Sequence, residues 1–229
     1  MYDIFQWRST STIDFSVLPV SIAEVKQRML DVKIIDLTSN TSIDSYLTSL
    51  IKSSVKLFEE QTNHMIYPRT LCGNVFNNEN CFEFSGYYLK KRNIKSIDSI
   101  KYYQYDWNQD SSANKESLVI NDFYNIIPES NITNTTLRKK VGVDFPIVYQ
   151  KMDTIEINIT CGYDIVNSAF VGIPDDIKSF IIYHVTKMYS NQINDCDCSP
   201  TECLINDNYL LQIISSYSVQ EIPYILSYI

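Results

Sequence analysis

Residues 172–192 read GIPDDIKSFIIYHVTKMYSNQ, and the organisation of the chain can be worked out from this stretch. Pro174 stands where a helix begins, because the N–H it lacks would go unpaired there. Asp175 and Asp176 set two carboxylates against the positive end of the helix dipole. Ile177, Phe180, Ile181, His184, Val185 and Met188 then recur at three- and four-residue spacing and predict one buried stripe. Ile182, Tyr183 and Tyr189 fall outside that stripe, so this helix has a second apolar surface to cover.

Two more helices precede it. In PVSIAEVKQRML (19–30), Ser21 and Glu24 form a capping box, and Ile22, Val25 and Met29 share a face. Residues 41–65, TSIDSYLTSLIKSSVKLFEEQTNHM, carry a longer stripe of Ile43, Leu47, Leu50, Ile51, Ser54, Phe58 and Met65, with Tyr46, Val55 and Leu57 beside or beyond it. From Ile66 the period drops to two. Short runs such as IYPRTLCGNVF, SIDSIKYYQYD and TIEINITCGY, rich in Ile, Val, Tyr, Phe and Thr, predict antiparallel strands. A short helix over 206–217 follows the opening one.

The expected architecture is therefore α+β. N-terminal helices (19–65) and a C-terminal helix pair (164–217) form a helical core, with an antiparallel β region (66–163) inserted between them. Residues 1–18 form an aromatic arm without a clean period, and 218–229 an apolar tail broken by Pro223. The tail residues Ile222, Tyr224, Ile225, Leu226, Tyr228 and Ile229 are too few for a core of their own; they serve as a strap over their own domain or as a hook that docks on a partner.

Of 229 residues 45% are hydrophobic, enough for a real core, and 27 acidic against 19 basic residues give a net charge of −8. That balance argues against a generic nucleic-acid-binding surface, since phosphate would be repelled. The start of the chain lacks the features of a signal peptide, and no stretch has the roughly 18 apolar residues a membrane span requires, so synthesis in a cytoplasm is expected.

Catalytic chemistry has little to stand on. The two histidines, His64 and His184, lie on predicted helices, where a lone His is ordinarily packed or solvent-facing, and no phosphate-binding, nucleophile-elbow or zinc-protease motif occurs. Cys196, Cys198 and Cys203 in CDCSPTEC offer thiolates, but their spacing supplies one poor knuckle without a second. A plain polar loop is preferred there over a disulfide or a metal site. Cys72, Cys81 and Cys161 read as buried thiols in strands. The basic triplets 90–92 and 138–140 read as solvated strand ends. No enzyme, no cofactor and no metal are expected.

Three stretches, taken in order, resemble the tailed-phage head-tail connector (adaptor) proteins, the gp6-like and gp8-like families. The resemblance is carried by Pro19, Ser21, Glu24 and Lys26, then Asp44, Glu60 and Thr62. It continues with Gly162-Tyr163, Ile173-Pro174, Asp175, Lys178 and Tyr189, and ends on YLLQIISSY (209–217). It implies a twelve-fold homo-oligomeric ring in the virion neck, assembled in the host cytoplasm. Such a ring sits beneath the portal protein, extends the DNA channel without binding DNA specifically, and offers a surface to the next neck or tail protein. No membrane is involved. Another neck or tail-terminator component is the nearest alternative, and a small metal-binding regulatory protein built on the cysteine loop a more distant one. In a ring, Tyr46, Leu57, Ile182, Tyr183 and Tyr189 are the expected subunit interface, and the six apolar tail residues the portal or tail docking segment.

Overall fold

The computed structural model describes residues 5–32, 42–75, 87–89, 91–102, 116–118, 123–126, 136–139, 155–193 and 207–218. Among them the fold is α+β. The chain divides into two compact units, a β unit of Met1–Asp14 and Tyr67–Gly162 and a helical unit of Phe15–Ile66 and Tyr163–Ile229.

The helical unit holds α1 (Ile22–Asp31), α2 (Ser42–Thr62), α3 (Asp175–Ile193) and α4 (Asn208–Tyr217). The capping box at the start of α1 is present: the Ser21 hydroxyl accepts from the Glu24 N–H at 3.1 Å, and Glu24 Oε2 accepts from the Ser21 N–H at 2.6 Å. Helix α3 begins one residue later than the proline rule placed it. The Pro174 carbonyl accepts its first intrahelical bond, from Lys178, and Asp176 Oδ1 accepts from the Ile177 N–H. All six stripe residues, Ile177 to Met188, are buried. They meet Leu47, Ile51 and Phe58 of α2 and Leu210 and Ile214 of α4 in one core, with Phe58 and Phe180 rings 5.1 Å apart. Lys26 of α1 pairs with Asp44 of α2, and Lys187 of α3 with Asp207 at the head of α4 at 2.9 Å.

Helix α2 stops three residues short of its expected end. Asn63 adopts a left-handed φ of 54°, and the Thr62 hydroxyl donates to the Phe58 carbonyl while accepting from the His64 N–H. His64 therefore lies beyond the helix. Met65 and Ile66 are still buried, so the apolar pattern continues where the helical backbone does not.

In the β unit, β1 (Phe5–Ser9), β2 (Arg69–Val75), β4 (Ile94–Tyr102), β5 (Glu116–Leu118) and β8 (Ile155–Cys161) form an antiparallel sheet in the order β1-β2-β8-β4-β5. Part of the segment expected as an arm is thus an edge strand. Trp7 faces Gly73, whose missing side chain leaves room for the indole; a Cβ there would lie 2.7 Å from it. In β4 the buried residues Ile94, Ile97 and Ile100 are three apart instead of two. Register shifts between Ile94 and Ser96 and between Ile97 and Ser99 each add a residue, so all three stay on one face opposite Cys161, Ile159 and Ile157. A second sheet orders β3 (Tyr87–Tyr88), β7 (Thr136–Lys139) and β6 (Phe123–Ile126).

The helical unit also carries a two-stranded hairpin, β9 (Asp164–Val166) and β10 (Ala169–Val171). Asn167 and Ser168 have φ of 50° and 59°, the left-handed pair that a tight two-residue turn demands.

Candidate functional site

An open groove of about 630 Å³ runs between α1, α3 and the start of α4. Its walls follow helical spacing. Glu24, Gln27, Arg28 and Asp31 lie at i, i+3, i+4 and i+7 along α1, and Ser179, Ile182 and Tyr183 at i, i+3 and i+4 along α3. Tyr209 closes one end, its ring 5.3 Å from that of Tyr183 in an edge-on arrangement and 46% exposed. One side of the groove is thus apolar and aromatic, the other charged.

Both acids on the charged side are engaged within α1 or its cap. Glu24 accepts from the Ser21 hydroxyl and backbone, and those hydrogen bonds, the hydroxyl's first, hold its carboxyl below the ordinary range. Asp31 accepts from Gln27 at 3.0 Å. Arg28 makes no ion pair with a described residue. The polar wall of the groove thus carries two carboxylates and one guanidinium, facing an aromatic wall.

The five residues expected at a subunit interface differ in how much surface they leave open. Ile182 and Tyr183 are half-buried and line the groove. Leu57 and Tyr189 are 7% and 9% exposed, covered by their own chain and left with little surface for a neighbour. Tyr46 packs its ring 6.0 Å from that of Tyr189, and burial followed by the neighbouring Tyr189 pushes its phenol above the usual range. Sequence reasoning missed the polar row on α1 and Tyr209. The signal was there, a row of charged and amide side chains at helical spacing, but a search for core stripes passes over it.

The other sequence candidates supply no second site. The six tail residues 222–229 and Cys196, Cys198 and Cys203 lie outside the described residues, as do Cys81, Lys90 and Lys140. Cys72 and Cys161 are buried free thiols. Arg92 is 4% exposed, so that part of the first basic triplet is not a solvated end. Both histidines are fully buried: His184 Nδ1 lies 2.6 Å from the Ser54 hydroxyl, and His64 Nε2 lies 2.9 Å from the Tyr163 hydroxyl. Among the described residues no three His, Cys, Asp or Glu side chains converge as a metal site, and no helix is long and apolar enough to cross a membrane.

No family model matches the chain, and no curated protein matches it in sequence. Solved structures match over nearly its whole length. One similar chain comes from the neck of an empty gene transfer agent (GTA) particle computed with C6 symmetry, with a TM-score of 0.66 at 9% identity over 95% of this chain and 97% of that one. A chain from the neck of the native GTA particle, computed with C12 symmetry, gives 0.62 at 10% identity over 95% and 97%. A chain of the native GTA virion gives 0.62 at 10% over 94% and 96%. At such identities the likeness is one of fold: this chain has the fold of chains found in the neck of a phage-like particle.

Proposed function

We propose that the chain is a structural head-tail connector (adaptor) of a tailed-phage-like particle. It forms a ring beneath the portal, extends the DNA channel and offers the attachment surface for the next neck or tail component. The observation that carries this reading is the likeness to GTA neck chains, which spans helices and inserted β region alike and leaves almost none of either chain over. The order of capped helices in the sequence points the same way independently. A closed ring needs each subunit to show two different surfaces, and a helix such as α3, with one stripe in its own core and Ile182 and Tyr183 left at an open groove, provides for that. The role is assembly, with no catalytic step. A net charge of −8 disfavours tight contact with the DNA that passes through.

Negative-stain imaging of the purified chain, alone and mixed with the portal of the same particle, tests the reading. Rings, or added density capping the portal, are expected. A monodisperse monomer that leaves the portal bare would overturn it.

A further inference from the structure

We infer that residues 222–229 of the tail lie along the α1–α3–α4 groove of their own chain and cover Ile182 and Tyr183 until the subunit enters a ring. The seat of the tail stands on the geometry of the helical unit; its consequence for ring formation rests on the connector reading.

Helix α4 delivers the chain to one end of the groove. The Tyr217 hydroxyl, in its last turn, lies 2.8 Å from Asp176 in the first turn of α3. Asp176, Ser179 and Tyr183 stand at i, i+3 and i+7 and form one row along α3. The end of α4 is therefore tied one helical turn from Ser179, where α3 enters the groove wall. The α1 wall reaches the same end, because the ammonium of Lys178, next to Ser179, acts on the Glu24 carboxylate. At the other end Tyr209, in the first turn of α4, meets Tyr183. A chain that turns back after α4 thus runs along the groove from Ser179 and Glu24 towards Tyr183 and Tyr209. Ser218 leaves the helix with φ of −70° and ψ of 143°, an extended conformation, and Pro223 bars a helical continuation.

Length and chemistry agree with this path. From Glu24 to Asp31 the α1 wall measures about 10 Å, the reach of about three or four extended residues, and residues 219–229 supply these and the turn. IPYILSYI (222–229) carries no charged side chain, so it meets Glu24, Asp31 and Arg28 without a like charge. In an extended segment Ile225 and Ile229 share one face, and Tyr224, Leu226 and Tyr228 the other. The isoleucines suit the wall of Ile182, Tyr183 and Tyr209. The tyrosine hydroxyls supply donors to the carboxylates opposite, each of which can accept several hydrogen bonds.

The test uses the free full-length chain with p-benzoylphenylalanine at Leu226 and isotopically heavy and light copies mixed. After irradiation, cross-links from 222–229 to 22–31 or 175–193 of the same isotope are expected. Tyr209→Asp, at an exposed position, should keep the circular dichroism spectrum and lower the cross-link yield several-fold. Links between isotopes would move the tail to the next copy, links elsewhere or none would take it out of the groove, and an undiminished yield in the aspartate variant would remove the apolar wall; each overturns the seat. A chain ending at Ser218 is then expected to form rings without the portal, where the full chain requires it. If the shortened chain rings no more readily than the full one, the tail does not hold the ring back. If neither rings even on the portal, the connector reading falls while the cross-links still decide the seat.

Discussion

The Tyr217 hydroxyl donates to Asp176, lying 2.8 Å from one carboxylate oxygen and 2.9 Å from the other. It ties the last turn of α4 to the first turn of α3, while the ring packs edge-on against Phe58 and His64, 5.5 and 5.2 Å away between centroids. Tyr217→Phe keeps the ring and deletes the bond to a charged acceptor, so a loss of about 1–3 kcal/mol is expected in urea unfolding followed at the helical signal. Burial first, and Asp176 next, push the Tyr217 phenol above its ordinary range. A phenol raised on folding gives stability that is complete below the unfolded value of about 10 and falls as pH climbs through the folded one. The unsubstituted chain should therefore weaken in alkali more steeply than the Phe variant; parallel curves would assign the loss to other groups.

Ser54 and His184 join α2 to α3 through a 2.6 Å hydrogen bond with both residues fully buried. Ser54→Ala removes one partner from the imidazole in a site with no bulk water nearby, a change that costs about 1–3 kcal/mol. In a chain of this size each kcal/mol corresponds to a Tm drop of roughly 2–4 °C. Calorimetry showing no shift would mean that the imidazole is satisfied without Ser54.

These helical contacts were the most legible part of the chain. A capping box and a six-residue stripe are local signals, and the structure keeps them within a residue of where the spacing put them. The β unit was less legible because its decisive features are pairings between distant segments. Nothing within Phe5–Ser9 announces a strand until Trp7 is set against Gly73, and the three-residue spacing of Ile94, Ile97 and Ile100 looks irregular until the register shifts restore a common face. His64 was misplaced because apolar periodicity does not reveal a left-handed residue such as Asn63. The groove was half legible: Ile182 and Tyr183 stood out as surplus on a helix, whereas their opposite wall on α1 is polar and looks like ordinary solvent-facing surface.

Asp207 caps α4, accepting from the Tyr209 and Leu210 N–H groups, and pairs with Lys187 of α3 at 2.9 Å. Burial pulls its carboxyl upward, but the hydrogen bonds and charge of Lys187 and the two backbone donors outweigh that and hold it below the usual carboxylate range. A carboxyl depressed on folding adds stability above the unfolded value of about 4, and that stability is lost as pH falls through the folded value. Asp207→Asn, which keeps a capping oxygen and loses the charge, should flatten the acid limb of a stability–pH curve. Asp207→Ala should cost about 1–2 kcal/mol near neutrality through loss of the cap. An acid limb that is the same in both variants and the unsubstituted chain would remove the Lys187 pair from the explanation.

Gly162 ends β8 with a φ of 99°, donating its N–H to the Asn93 carbonyl at 3.0 Å. A Cβ there would overlap the Tyr67 carbonyl and lie 2.6 Å from the Pro68 nitrogen, atoms of a backbone that cannot swing aside as a side chain would. Gly172, with a φ of 77°, has nothing within 4 Å of the same added carbon. The two positions separate conformational strain from collision. Gly172→Ala should cost only the left-handed penalty, on the order of 1 kcal/mol. Gly162→Ala carries that penalty and the overlap as well, and should lose several times as much or fail to accumulate as soluble protein. Equal losses at the two sites, measured by the same chemical denaturation, would mean that the Tyr67–Pro68 backbone yields and that the close approach at Gly162 is not what fixes the end of β8.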